Sequence, residues 1–208
     1  MIKSNDIVVV DKPVGWTSHD VVAKIRRELG NKKVKVGHGG TLDPFATGVL
    51  LILIGKAVKR FDEIRTWEKE YELEVKLGQA TDTGDPTGKI TATKTVVQVN
   101  EQQIKNILRH FIPGYTQTVP AYSAVKIKGR PAYKLARAGK KFVTPKRFVK
   151  ISKIELMDLQ GPSLQVKVVC GSGTYMRQLA MDIGTKLGLP AHCAVLCRTR
   201  VGKFKLPV

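Results

Sequence analysis

Asp43 is the one carboxylate in the stretch Gly37-His38-Gly39-Gly40-Thr41-Leu42-Asp43-Pro44-Phe45-Ala46-Thr47-Gly48, which also holds four glycines, a proline and a histidine. An ionised carboxylate on a stiff loop can serve as nucleophile or general base. Pro44 fixes its own φ and biases Asp43 toward an extended conformation, while the glycines allow a ligand or second chain to approach closely. The stretch runs straight into the apolar segment Val49 to Ile54. Two readings stand on these residues alone: a catalytic platform at the edge of a sheet, or a Gly/Pro-rich turn carrying a solvated aspartate.

Two more residues have placements that ask for a partner. Glu70 to Leu77 alternates strictly, with Tyr71, Leu73, Val75 and Leu77 against Glu70, Glu72, Glu74 and Lys76, so Tyr71 points to the apolar side. Gly171-Ser172-Gly173-Thr174 opens a helix with Arg177 in its first turn. The helix dipole favours acids there, so a cation implies a carboxylate or phosphate nearby. His192, Cys193 and Cys197 supply at most three metal-ligand candidates without a second paired motif, and no metal is expected. The polar turn Thr81 to Gly88 lacks the acidic spacing of a calcium loop and reads as structural.

Charge defines the class of partner. The chain of 208 residues carries 36 Lys+Arg against 17 Asp+Glu, a net +19. Its hydrophobic content of 42% is that of a folded protein. A folded chain so basic meets a polyanion, most often nucleic acid. Lys126 to Lys150 holds ten basic residues and no acid, with Tyr133 and Phe142 interleaved and Gly129, Pro131, Gly139 and Pro145 breaking it up. That block reads as a flexible flap that grips phosphates and orders on its ligand. No apolar run reaches the ~18 residues of a membrane span and no apolar h-region follows Met1-Ile2-Lys3, so neither a span nor a secretory signal is expected in these residues. Three cysteines give no disulfide framework, so a cytoplasmic setting is expected.

The elements that must position these residues follow from periodicity and caps. Strands are expected at Ile7–Val10, Val34–Val36, Val49–Ile54, Glu70–Leu77, Ile90–Val97, Val149–Leu159, Leu164–Cys170 and Ala194–Leu206. Helices are expected at His19–Leu29 behind a Thr17 or Ser18 cap, at Lys56–Trp67, after Asn100 as far as Phe111, and at Tyr175–Leu187. Hairpins without steady βαβ alternation imply an α+β fold with a mixed, mostly antiparallel central sheet flanked by helices.

Five blocks together resemble the TruB family of tRNA pseudouridine synthases. They are Asp11 to Ser18; Gly37 to Leu50, reading GHGGTLDPFATGVL; Lys69-Glu70-Tyr71 with the following LGQATDTGDPTG; Val119 to Gly139; and Cys170 to Gly184, reading CGSGTYMRQLAMDIG. The resemblance implies a pseudouridine synthase fold and an enzyme that isomerises the T-loop uridine at tRNA position 55, without cofactor. It makes Asp43 the catalytic aspartate, Tyr71 the tyrosine that stacks on the target base, and Arg177 the arginine that pairs with the acid. His38 would fill the place of the flipped base, and Tyr175 and Leu196 would line its pocket. Lys12, Lys126, Lys128, Arg130, Lys140 and Lys141 are assigned to RNA binding, the last five in a basic thumb insertion at about 126–147. The expected partner is the tRNA T-stem-loop, bound by a monomeric, single-domain chain over 1–208 without the family's C-terminal PUA-type domain.

The sequence departs from the family pattern at Gly39, where Thr is usual, at Leu51, where Pro often stands, at Gly171-Ser172 and at Cys197. The last two changes remove positive charge near the substrate. Other functions compatible with the scaffold are an RNA-binding or RNA-folding protein without chemistry, and a synthase acting on a different RNA.

Overall fold

The computed structural model describes residues 6–206, which form two compact units: one of residues up to Glu72 together with those from Leu196, the other of Leu73–Val195. The first begins with β1 (Ile7–Lys12) and helix α1 (Ser18–Leu29). Thr17 caps α1, its hydroxyl accepting from Asp20 N while Asp20 accepts from Thr17 N. Left-handed Gly30 closes the helix.

β2 (Val36–His38) and β3 (Thr47–Ile54) follow, and β3 pairs antiparallel with both β1 and β2. Seven of the eight residues of β3 are buried because each face has its own cover. Leu50, Ile52 and Ile54 pack with Val21, Val22 and Ile25 of α1; Val49, Leu51 and Leu53 pack with Ala57, Ile64 and Val201. The single helix expected at 56–67 is a 3₁₀ segment, Gly55–Arg60, followed by α2 (Phe61–Thr66). β4 (Lys69–Leu77) keeps the alternation, with Tyr71, Leu73, Val75 and Leu77 all buried.

In the second unit, β5 (Gln79–Thr81) and β6 (Ile90–Thr93) make a two-stranded ribbon. The strand expected over 90–97 stops at Thr93: every residue of β6 is exposed, so no buried face extends it. Asn100 caps α3 (Glu101–Arg109), which buries Ile104 and Leu108. β7 (Gly114–Thr118) carries a polar sequence that gave no strand signal. The basic block, expected as a flap, contains the hairpin β8 (Lys126–Ile127) and β9 (Arg130–Pro131) and the short helix α4 (Ala132–Arg137), anchored by the buried Ala132. β10 (Lys146–Gln160) pairs with β7 and with β11 (Ser163–Cys170), giving the order β4-β11-β10-β7. Helix α5 (Met176–Lys186) follows, capped at Tyr175.

β12 (Ala191–Val201) contributes residues to both units, as β4 does. From Leu196 it belongs to the first, where it lies between β3 and β4 and turns back through β13 (Phe204–Lys205). Its pairing with β3 is parallel, Cys197 with Thr47 and Arg198 with Gly48. Gly48 has φ +100° and its Cα faces the Arg198 backbone so closely that no Cβ fits. The remaining strand pairings described are antiparallel, as expected for an α+β chain of this kind.

Candidate active site

The loop between β2 and β3 cannot satisfy its carbonyls in a ladder, and buried side chains do so instead. Arg198, 2% exposed, donates from Nη2 to Gly40 O and from Nη1 to Thr41 O at 3.2 Å each, and from Nε to Val49 O at 2.8 Å. Buried Ser18 donates to Leu42 O at 3.2 Å and accepts from Leu42 N at 2.9 Å. Lys12 Nζ reaches Pro44 O at 3.2 Å, and Gly15 N donates to the same oxygen at 2.8 Å. The carbonyls of residues 40, 41, 42 and 44 are thus fastened from three different elements, and half-buried Asp43 stands in the middle. A loop so held is a fixed platform for a carboxylate, the opposite of a turn with a loosely solvated acid.

Lys12 requires a correction. Assigned to RNA binding on the resemblance, it is fully buried, with Nζ also donating to Pro13 O and Trp16 O at 2.8 Å. Burial pushes its pKa below the ordinary lysine value, the Asp43 carboxylate raises it again, and Arg198 lowers it further. Its ammonium is spent on the loop and on the field around Asp43.

His38 ends β2 on the same side of β3, opposite Ile52, with its ring edge-on to His19 at 5.4 Å. Its Nδ1 is buried and has no hydrogen-bond partner among the described residues. Burial, then His19, then Arg198 push its pKa below the ordinary histidine value. Tyr71 and Leu196, at 9% and 4% exposure, sit on the adjacent strands β4 and β12. The departures at Gly39 and Leu51 are in contact: Gly39 N donates to Leu51 O at 2.8 Å. A Cβ on Gly39 would lie 2.8 Å from Ile64 Cγ2 and 3.3 Å from Leu51 Cβ.

In the second unit, Arg177 has the carboxylate that its place in the first turn of α5 demanded. Nε lies 3.6 Å from Asp85 Oδ2, Nη1 donates to Thr83 O at 2.6 Å and Nη2 to Tyr122 O at 2.9 Å. Asp85 is itself held by Thr83 Oγ1, Thr87 N and Thr87 Oγ1. The turn Thr81–Gly88, read as merely structural, is therefore what orients the arginine. Tyr175 stands just before α5, its backbone N–H accepted by Gln117 Oε1 at 2.8 Å. Lys126, Lys128, Arg130, Lys140 and Lys141 are all exposed, with Lys128 and Gly129 both at positive φ in the tip of the β8–β9 hairpin. Arg198, Ser18, Asp85 and Gln117 went unseen in the sequence, because each acts through a backbone atom or a partner remote in the chain.

Residues 26–176 match the family described as TruB family pseudouridylate synthase (N terminal domain), a span holding His38, Asp43, Tyr71 and Tyr175 and ending one residue before Arg177. The chain belongs to the TruB family. It is 43% identical over 208 residues to tRNA pseudouridine synthase B of Phocaeicola vulgatus, covering 98% of this chain and 88% of that one. Against the tRNA pseudouridine synthase B of Opitutus terrae it is 42% identical over 200 residues, covering 96% and 82%. Among solved structures it resembles a chain of a Cbf5-Nop10-Gar1 complex, with TM-score 0.76 and 31% identity over 98% of this chain; it spans about half the length of that one. This TruB-family chain is thus an isomerase that forms pseudouridine in tRNA. Among the described residues no helix is long and apolar enough to cross a membrane.

Proposed function

We propose that this chain converts uridine 55 in the T-loop of tRNA to pseudouridine by flipping the base onto Asp43. The observation that carries the reading is the four-carbonyl fastening of the Asp43 loop, which fixes the backbone that carries one half-exposed carboxylate. The reaction breaks N1–C1′, turns the uracil and joins C5 to C1′; the C5 proton leaves and N1 gains one. Nothing is oxidised, so a positioned carboxylate suffices, whether it attacks C1′ or C6 or supports a glycal path.

Base flipping costs a few kcal/mol. Stacking on Tyr71, at roughly 1–3 kcal/mol, offsets it, and a neutral His38 takes the vacated place in the RNA. The inward face of β4 and the half-buried His38 ring, whose Nδ1 has no hydrogen-bond partner among the described residues, support these roles. Arg177 serves as counter-ion to the acid on the resemblance, and its fixed fork supports an orienting role. Tyr175 and Leu196 line the base pocket. The exposed lysines and arginines of the thumb hold phosphates.

Tritium release from a tRNA transcript carrying 5-³H-uridine tests the reading. Wild type releases one equivalent at position 55, while Asp43→Asn binds the transcript and releases none. Equal release from both proteins would sink the catalytic assignment. Release that persists on a transcript with uridine 55 replaced by cytidine would move the reaction to another site.

A further inference from the structure

Gln117 is 1% exposed at the second-to-last position of β7, and its side-chain amide meets Tyr175 as a neighbouring strand would. Tyr175 N donates to Oε1 at 2.8 Å, and Nε2 donates to Tyr175 O at 3.1 Å. The second Nε2 hydrogen goes to Tyr115 Oη at 2.6 Å. Because that oxygen accepts from Gln117, its own hydrogen points to Asp182 Oδ2 at 2.7 Å, and the other Asp182 oxygen accepts from Gln178 Nε2 at 2.9 Å. Each donor in this chain has one acceptor, so the amide cannot flip without breaking two bonds.

Tyr175 needs such a clamp. It precedes α5 with φ −99° and ψ 110°, has no side-chain cap, and follows a turn with two glycines. Nothing in the local sequence fixes where its ring points. Burial and the Asp182 carboxylate push the Tyr115 hydroxyl well above the ordinary tyrosine range, which keeps it a donor at every working pH.

Resting on the assignment of Tyr175 to the base pocket, we propose that Gln117, held by Tyr115 and Asp182, is the positioning residue that sets Tyr175 against the flipped uracil and so governs the chemical step. Gln117 touches no RNA itself, so its loss lowers kcat and leaves tRNA affinity alone.

The test compares wild type, Gln117→Glu, Gln117→Met, Tyr115→Phe and Tyr175→Leu as full chains, by single-turnover tritium release and filter binding between pH 6 and 8.5. A neutral Glu can accept Tyr175 N–H and donate to Tyr175 O, whereas its carboxylate repels that carbonyl. Gln117→Glu therefore loses about 10- to 100-fold in rate at pH 8 and recovers at least threefold relative to wild type toward pH 6. Asp182 and Tyr115 are common to wild type and both Gln117 variants, so comparing Gln117→Glu with wild type and with Gln117→Met removes their contribution to the pH profile. Gln117→Met shows the same loss with no recovery, Tyr115→Phe loses about three- to tenfold, and Kd for tRNA stays within threefold throughout. A folded Gln117→Met with wild-type rate overturns the inference, as does an equal fall in affinity or parallel pH profiles for the Glu and Met variants. If a Gln117 variant does not fold, a wild-type rate in Tyr115→Phe overturns it. Wild-type turnover by Tyr175→Leu instead indicts the placement of Tyr175 in the pocket.

Discussion

Arg198→Lys isolates what the loop fastening does for the reaction. The guanidinium makes three hydrogen bonds to carbonyls, two of them to Gly40 and Thr41 of the Asp43 loop. A lysine keeps the charge but presents one nitrogen, which cannot span both loop carbonyls and Val49 O. Hydrogen bonds to a charged donor contribute about 1.5–3 kcal/mol each, so losing two removes roughly 3–6 kcal/mol. Part is returned because one carbonyl finds the new ammonium and the loop relaxes, leaving about 2–3 kcal/mol. At about 2–4 °C per kcal/mol for a chain this size, Tm falls by roughly 4–12 °C. The effect on chemistry is larger than the effect on folding: a shift of about 1 Å in a reacting group costs about 10²-fold in rate. Single-turnover tritium release should therefore drop 30- to 100-fold, with Kd for tRNA within threefold, because a residue 2% exposed makes no RNA contact. A folded Arg198→Lys with a rate within threefold of wild type would refute the view that the loop's carbonyl anchors position Asp43. So would a loss of affinity that matches the loss of rate.

Gly39→Ala should cost about 1–3 kcal/mol of stability, because its Cβ meets Ile64 Cγ2 at 2.8 Å; in a cycle with Ile64→Ala the two penalties sum to less than expected by at least ~0.5 kcal/mol, and strict additivity would contradict the contact. Replacing Lys140, Lys141 and Lys146 together by Ala should reduce the slope of log Kd against log salt by about 2, with tRNA filter binding as the measurement; an unchanged slope rules the thumb out of phosphate contact. The His38 imidazole should titrate below free histidine in ¹⁵N-detected spectra, and His19→Ala should move it part of the way back up. Since the folded chain favours neutral His38, its contribution to stability is complete above about pH 6.5 and is lost as pH falls through the folded value; a His38 pKa at or above the free value refutes this.

The parts of the fold set by local physics were readable. β3 was legible as a central strand because all of Val49 to Ile54 is apolar, and both of its faces are covered. Tyr71 was placed inward by strict alternation, and α1 was bounded by Thr17 and Gly30. Arg177 was legible as a misfit: a cation at a helix start needs an anion, and Asp85 is there at 3.6 Å. What escaped has no periodicity to betray it. Ser18 reaches Leu42 across 24 residues, Lys12 reaches Pro44 across 32, and Arg198 reaches Gly40 across 158, each ending on a backbone carbonyl. A carbonyl carries no sequence identity, so no pattern marks the pairing. β7 escaped for a related reason: Gln117 is buried for its amide, and a buried polar side chain looks like an exposed one in the sequence.

The same point changes what the net charge of +19 means. Counting lysines and arginines treats them all as candidates for RNA, yet among the described residues Lys12, Lys69, Arg177 and Arg198 are buried. All four donate to backbone carbonyls: Lys12 to three, Lys69 and Arg177 to at least two each, Arg198 to three. Burying a cation is costly, and the lowered Lys12 pKa is the visible sign of it. The cost is tolerable because a multidentate cation gathers carbonyls that irregular backbone cannot pair with itself. Two of the four, Lys12 and Arg198, do so on the loop that carries Asp43. Substituting an inward cation should therefore lower rate before affinity, and substituting a thumb lysine should lower affinity before rate. Two cations of the same formal charge are separated by that ratio alone.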